Sequence, residues 1–391
     1  MNIGKVSKRV ESISPFYVMD IMARANELEE SGRDIIHMEV GEPDFSTPQP
    51  IIDAAQRFLA IGDVHYTKAQ GLPLLREKIA NFYRQEYHVE VAAGRIFITP
   101  GASGALTVAL ASLLDGGDEV LTCDPGYPCN NNIVTLFGGK AKPIAVDAGE
   151  HFQLTGAAIT EAWTAATRGV MIASPSNPTG TMVSRSQLDG IVQAVNKHNG
   201  FLISDEIYHG LVYGQRAISA LEISDDVFVL NSFSKFFGMT GWRLGWLIVP
   251  EYAVPAANRL MQNLYISAPT HSQYAALAAF SDETRVILEQ RRDEFESRRD
   301  MLYEGLKELG FVLIDKPEGA FYIYADCRAF SEDSYAFSLQ LLEEAGVATT
   351  PGKDFGISSP ERYLRFAYTT SEERIQEGLR RLKTFLMRDK G

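Results

Sequence analysis

What this chain of 391 residues lacks narrows its function first. Its three cysteines, Cys123, Cys129 and Cys327, form no CxxC pair and no zinc-ligand spacing. A disulfide scaffold and a thiolate metal site therefore drop out, and the expectation is buried thiols in a reducing compartment. No run reaches the roughly 18 apolar residues of a membrane helix. The opening segment, "MNIGKVSKRVESISPF", has no signal-like apolar stretch, so a cytoplasmic location is expected. Basic residues are outnumbered, 37 Lys plus Arg against 50 Asp plus Glu, for a formal charge of −13. That balance disfavours general nucleic-acid binding, which needs basic patches against phosphates, but leaves room for one local anion site. Internal repeats, low-complexity tracts and Gly/Ser linkers are absent as well. So are GxxxxGK[ST], GxGxxG after a strand, HExxH and GxSxG, which sets aside P-loop NTPases, standard dinucleotide folds, zincins and α/β-hydrolases.

What is present is an ordinary globular composition, 45% apolar and 22% charged, on a chain long enough for two or three domains and a large core. From about residue 95 to 250, short β-rich runs alternate with helical patterns. The strand candidates are "RIFITPG", "DEVLTCDPG", "GVMIASPSNP", "GFLISDEIY", "FVLNSFSK" and "LGWLIVP", each closed by Gly, Pro, Ser, Asn or Asp. Helical stretches such as Ser184 to Gly200 lie between them, which predicts an α/β architecture with a mainly parallel sheet covered by helices. Beyond residue 280 the alternation stops. A long charged helix, "SDETRVILEQRRDEFESRRDMLYEGLKELG", precedes the strand-like "GAFYIYAD" and "RYLRFAYTT". A closing helix carries the stripe Ile375, Leu379, Leu382 and Leu386, with Thr370 and Glu373 as its capping box. The expected division is a large domain over 46–280 and a smaller α+β domain built from 1–45 with 281–391.

Ligands of such sheets sit beyond the carboxyl ends of the strands, where the chemically active residues of this chain collect. "NSFSKFFGMTGWRLGW" sets Lys235 among Phe233, Phe236 and Phe237, with Ser232 and Ser234 before it and Arg243 after. A buried ammonium is costly, so Lys235 is either a rim lysine that snorkels or an amine with a lowered pKa suited to Schiff-base chemistry. "TPGASG" leads from a strand through a glycine turn into a helix. The amides of Ala102, Ser103 and Gly104 there offer a phosphate a helix N-terminus, or simply let the helix pack on the sheet. Asp205 and Tyr208 in "LISDEIYHG" and Asn177 in "SPSNPTG" read either as caps and turns or as partners of a ligand. Together they ask for an aldehyde, a ring nitrogen, a phenolic oxygen and a phosphate. Pyridoxal 5'-phosphate carries all four.

The order and spacing of "GEPDFSTP", "YTKAQGLPLLREKIA", "DPGYP", "SPSNPTG", "SDEIY", "SFSKFFGMTGWRLGW" and "YLRFAYTTSEERI" resemble the fold-type I pyridoxal-phosphate enzymes, within them the class I/II aminotransferases. The resemblance covers almost the whole chain and implies an aspartate-aminotransferase-like fold. It implies that Lys235 carries the cofactor and moves the proton, that Asp205 faces the pyridine nitrogen, and that Tyr208 and Asn177 bond the ring oxygen. Tyr127 resembles the aromatic stacked on the ring, and Ala102, Ser103, Ser232, Ser234 and Arg243 the phosphate cup. Arg365, with the Gly41 amide and Asn177, matches the site of the substrate α-carboxylate; as a strand residue it would face opposite Leu364 and Phe366. Tyr66 matches a tyrosine that reaches the phosphate of the neighbouring subunit, which implies a homodimer.

The chain departs from dicarboxylate-specific relatives. Asn263 stands where such enzymes can carry an arginine, and Ser103 where some carry a lysine. Phe16 and Tyr17 are expected to border the side-chain pocket, and Lys68 and Lys353 are cations without an assigned role. The expected function is transfer of an amino group from an L-amino acid to a 2-oxo acid, without strict dicarboxylate specificity. The alternatives are a β-eliminating carbon–sulfur lyase or related synthase on the same cofactor, and a non-catalytic aminotransferase-like sensor. No metal, nucleic acid or membrane is expected as a partner.

Overall fold

A computed structural model describes residues 7–313 and 315–388 of the chain. Its strands in chain order are β1 (Ile36–His37), β2 (Ile96–Thr99), β3 (Glu119–Asp124), β4 (Lys140–Ala145), β5 (Thr167–Ala173), β6 (Phe201–Asp205), β7 (Phe228–Ser232) and β8 (Gly245–Ile248). They are followed by β9 (Val312–Leu313), β10 (Tyr322–Asp326), β11 (Val347–Ala348), β12 (Thr350–Pro351) and β13 (Tyr363–Ala367). Seven strands form the main sheet in the order β2-β8-β7-β6-β5-β3-β4, parallel throughout except for β8, which runs antiparallel to both neighbours. All six strand candidates lie in this sheet. The strand not anticipated is β4, "KAKPIA", an edge strand with two lysines and Pro143; those residues suit an edge and disguise a strand.

The central strands β6 and β7 are buried along their whole length, so both faces need cover, and helices supply it. The helix Arg185–Lys197 fits its expected range; Ser184 and Gln187 close a capping box at its start. A second, four-stranded sheet, β12-β13-β10-β9, is antiparallel and packs on the helices Asp282–Leu309 and Glu372–Arg388. Ser281 caps the first and Gly310, left-handed at φ 100°, ends it. In the second, Ile375, Leu382 and Leu386 are buried as the stripe required. Its cap, however, is Ser371 rather than Thr370: the Arg374 amide donates to the Ser371 hydroxyl. The residue one place later has the geometry, and two adjacent hydroxyl residues cannot be ranked by pattern alone. Finally, β1 pairs in parallel with β11 in a separate two-stranded sheet, tying the N-terminal segment to the chain just before β12.

Candidate active site

Five strands deliver the site. Asp205 and Ser232 are the last residues of β6 and β7, Asn177 and Tyr127 follow β5 and β3 closely, and Thr99 at the end of β2 leads into the helix Gly101–Leu113. Because β8 is antiparallel, its start lies at the same edge, and Arg243, just before it, joins the group. A cavity of about 490 Å³ opens there. It is lined by Gly41, Ala102, Ser103, Tyr127, Asn177, Asp205, Tyr208, Ser232, Ser234, Lys235, Arg243 and Arg365, twelve of the thirteen residues expected from sequence. Tyr66 is outside it, 78% exposed on the surface.

The Lys235 amine donates to the Gly41 carbonyl at 2.5 Å and lies 5.5 Å from the Phe321 ring centre. Burial lowers its pKa to about 8; Glu42 opposes the shift, while Arg365 and Arg243 reinforce it. Asp205 is buried, and among the described residues the Ile207 amide is its one hydrogen-bond donor, at 3.1 Å. Burial pushes this carboxyl up to about 7, with the Ile207 amide and the Lys235 charge acting against it. Such a carboxylate lacks a close cation. The Tyr208 hydroxyl lies 2.9 Å from that of Tyr322, and burial raises its pKa well above the ordinary phenol value.

Arg365 is the clearest unfilled demand. It is 5% exposed, yet its hydrogen bonds go to neutral oxygens: Asn177 Oδ1 at 2.9 Å, the Glu39 carbonyl at 2.6 Å and the Thr350 hydroxyl at 3.1 Å. Its Nε is buried without a partner. The guanidinium is clamped between the Tyr322 and Phe355 rings, at 4.3 and 4.9 Å from their centres. A buried, fixed guanidinium without a carboxylate favours an anionic ligand. As the strand alternation requires, Leu364 and Phe366 turn instead into the core.

A second anion-favouring corner lies at the helix Gly101–Leu113, whose N-terminus has no side-chain cap. Gly101, at φ 73°, sits so close to Arg243 that a Cβ would fall 2.8 Å from its Nη2. The left-handed backbone favours glycine there, and the missing Cβ leaves the Arg243 guanidinium room to lie against the turn. The Ser232 and Ser234 hydroxyls are 2.9 Å apart beside it.

Sequence reasoning missed Tyr322, Thr350, Phe355 and the Glu39 carbonyl, which hold Arg365, and Asp354, which lines the same cavity. None carries a motif; "GAFYIYAD" signalled a strand and nothing more. Phe16 lines the cavity as expected, but Tyr17 does not: its ring packs edge-on against Tyr335 at 5.2 Å. Lys353 pairs with Asp333 at 3.3 Å, and Asn263 bonds the Arg259 carbonyl; neither lines the cavity. No group of three or more metal-ligating side chains occurs among the described residues, and none of their helices is long and apolar enough to cross a membrane.

Residues 33–382 match the family described as aminotransferase class I and II. The chain is 41% identical to the (5-formylfuran-3-yl)methyl phosphate transaminase of Methanocaldococcus jannaschii, over 97% of this chain and 99% of that protein. Its structure superposes on an aminotransferase from Mycobacterium tuberculosis with a TM-score of 0.95 at 36% identity, covering 98% and 99% of the two chains. The Thermus thermophilus aspartate aminotransferase with maleate gives 0.93 at 32% identity, over 98% and 100%. The architecture is thus the aspartate-aminotransferase-like α/β fold. With a family match over most of its length and full-length relatives that transfer amino groups, the chain belongs to the class I and II aminotransferases.

Proposed function

We propose that this aminotransferase binds pyridoxal 5'-phosphate at the strand ends and moves an amino group from an L-amino acid to a 2-oxo acid without strict selection for dicarboxylates. The family depends on this cofactor, and the residues present fit it. Arg243, the uncapped Gly101–Leu113 helix with the Ala102 and Ser103 amides, and the Ser232–Ser234 pair form a corner for a phosphate. Asp205 offers its under-partnered carboxylate to a protonated ring nitrogen, Tyr208 and Asn177 stand by for the ring oxygen, and Tyr127 lines the wall for stacking. When bound, the cofactor supplies the electron sink that lets a bond at the substrate Cα break.

The chain supplies the rest. Arg365 binds and orients the substrate carboxylate by a two-pronged pair, in place of its present neutral partners. Lys235, with a pKa of about 8, keeps roughly a tenth of its amine unprotonated at neutral pH. That suits it to take the Cα proton and return it elsewhere. The single observation that carries the reading is Arg365, a buried guanidinium clamped between two rings in the cavity that Lys235 also lines, with no anion of its own among the described residues. Replacing Lys235 with Ala is the test: donor amino acids should no longer convert the cofactor to its amine form, while bound cofactor is retained. Full turnover in K235A would refute the assignment.

Two further proposals accompany this one. The active unit is a homodimer, because Tyr66 is too exposed in one chain to serve its own cavity and Leu59, Ile61, Val64, Leu264 and Ile266 are exposed apolar residues near it in sequence or on the neighbouring segment. The division into 46–280 and 1–45 with 281–391 is supported by largely separate cores. One gathers side chains from Ile51 to Ala279 and, across the boundary, Leu288; the other gathers mainly Ile36, Met38 and residues from Phe295 onward, with Tyr208, Leu211 and Tyr213 from the larger part; residues 1–6, 314 and 389–391 of that division lie outside the described residues.

A further inference from the structure

The residues lining the cavity are of two kinds. Lys235, Asp205, Arg243 and Arg365 are among those that carry charge; Phe16, Val18, Met19, Met22, Leu106 and Ile133 supply its apolar wall. Four of these six apolar residues come from the start of one helix, Tyr17–Glu30, and the residue before it. That helix has no side-chain cap of its own: Phe16 occupies the cap position, and its side chain cannot accept a hydrogen bond. The acceptor comes from far along the chain. Asp354, 6% exposed, receives the Tyr17 amide at 2.7 Å on one carboxylate oxygen and the Val18 amide at 2.8 Å on the other. Both orphan amides are satisfied by one side chain, and the apolar residues are thereby held against the cavity.

The next residue, Phe355, lies under the Arg365 guanidinium. Residues 354 and 355 therefore touch both the apolar wall and the group assigned to the substrate carboxylate. The basic side chains lining the cavity, among the described residues, are Lys235, Arg243 and Arg365, none of them on the helix Tyr17–Glu30. The charge held at the apolar wall is negative, that of Asp354.

We propose that the side-chain subsite takes an apolar group, aliphatic, thioether or aromatic, and that Asp354 is the positioning residue that builds it; this rests on the aminotransferase reading above. An acidic side chain entering the subsite would lose water against Val18 and Met22, face the Asp354 carboxylate and meet no cation. An apolar one gains from each methylene it buries there.

Calorimetric titration of the cofactor-loaded protein with unreactive carboxylates tests this. 3-Phenylpropanoate should bind at least about tenfold more tightly than succinate. D354A should weaken 3-phenylpropanoate about three- to tenfold, the range of a lost helix cap, and leave propanoate, too short to reach the wall, unchanged. D354N, which keeps one acceptor oxygen, should fall between. Succinate binding as tightly as 3-phenylpropanoate, or an equal loss for propanoate in D354A, would overturn the proposal. Should D354A not fold, V18R replaces it, and the expected result is a reversed preference, succinate over 3-phenylpropanoate; an unchanged order would overturn the proposal. L-alanine, which needs no side-chain subsite, separates the two readings: absorbance that responds to alanine upholds the aminotransferase reading whatever the titrations give, and no response to any donor would overturn both.

Discussion

Charge placement governs the site at the scale of single residues. Arg365 demands an anion because its Nε is buried without a partner and its other nitrogens meet only neutral oxygens. Lysine cannot reproduce a fork fixed between Tyr322 and Phe355, so R365K should lower kcat/KM by about a hundredfold. Steady-state rates across donor concentrations would check this, with most of the loss expected in KM. Asp205 gives a pH signature in the cofactor-free protein. Burial raises its carboxyl from 3.8 to about 7, so the folded state holds this proton more tightly than the unfolded chain. Its contribution to stability is complete below about pH 4 and is lost as pH climbs to about 7. D205N removes that titration, and melting temperatures of the cofactor-free variant should fall less steeply across this window than those of the parent. At this scale the sequence was most legible. Asp205 and Ser232 at their strand ends, and Lys235 just beyond β7, are costly where they stand, and cost is visible in a pattern. Tyr322, Thr350 and Asp354 were not legible, because their roles are contacts outside any local motif, from 15 positions away for Thr350 to 337 for Asp354, and their types are ordinary for strands and turns.

One antiparallel strand does much of the assembly at the scale of elements. Reversing β8 brings Arg243 to the edge where β6 and β7 end, and Gly245 lets β8 pass close to the phosphate corner. A Cβ on Gly245 would lie 2.7 Å from the Asn231 carbonyl oxygen, 2.8 Å from the Gly101 carbonyl carbon and 2.9 Å from the Ala102 nitrogen. All three are backbone atoms and none can swing aside. G245A should therefore cost about 1–3 kcal/mol of stability and shift the helix start away from Arg243. Denaturant unfolding would measure the first effect and equilibrium dialysis of the cofactor the second, with affinity expected to fall. Alternating apolar runs made the buried strands readable. The edge strand β4 escaped because Pro143 and two lysines are what an unpaired edge tolerates. The C-terminal cap was misplaced by one residue because Thr370 and Ser371 carry the same chemistry, and only backbone geometry separates them.

The proposed homodimer is tested at the scale of the whole molecule. Tyr66 projects from the surface, where neither stability nor its own cavity uses it. If it serves the neighbouring subunit, Y66F should leave the melting temperature unchanged and weaken cofactor binding by about tenfold, the loss of one hydrogen bond to a charged phosphate. Sedimentation should give a dimer at all working concentrations. The fold class was legible at this scale because strand–helix alternation, once seen, leaves few topologies. The homodimer expectation rested on the family resemblance at Tyr66, since an exposed tyrosine beside a turn looks the same in a monomer.

The most direct test of the central claim is the near-visible absorbance of the purified protein, recorded before and after a single donor amino acid and again after a 2-oxo acid. The account predicts a yellow protein whose band is lost with the donor and restored by the oxo acid, with both changes absent in K235A. A colourless protein that stays colourless when supplied with pyridoxal 5'-phosphate, or a band that the donor bleaches and no oxo acid restores, would contradict it.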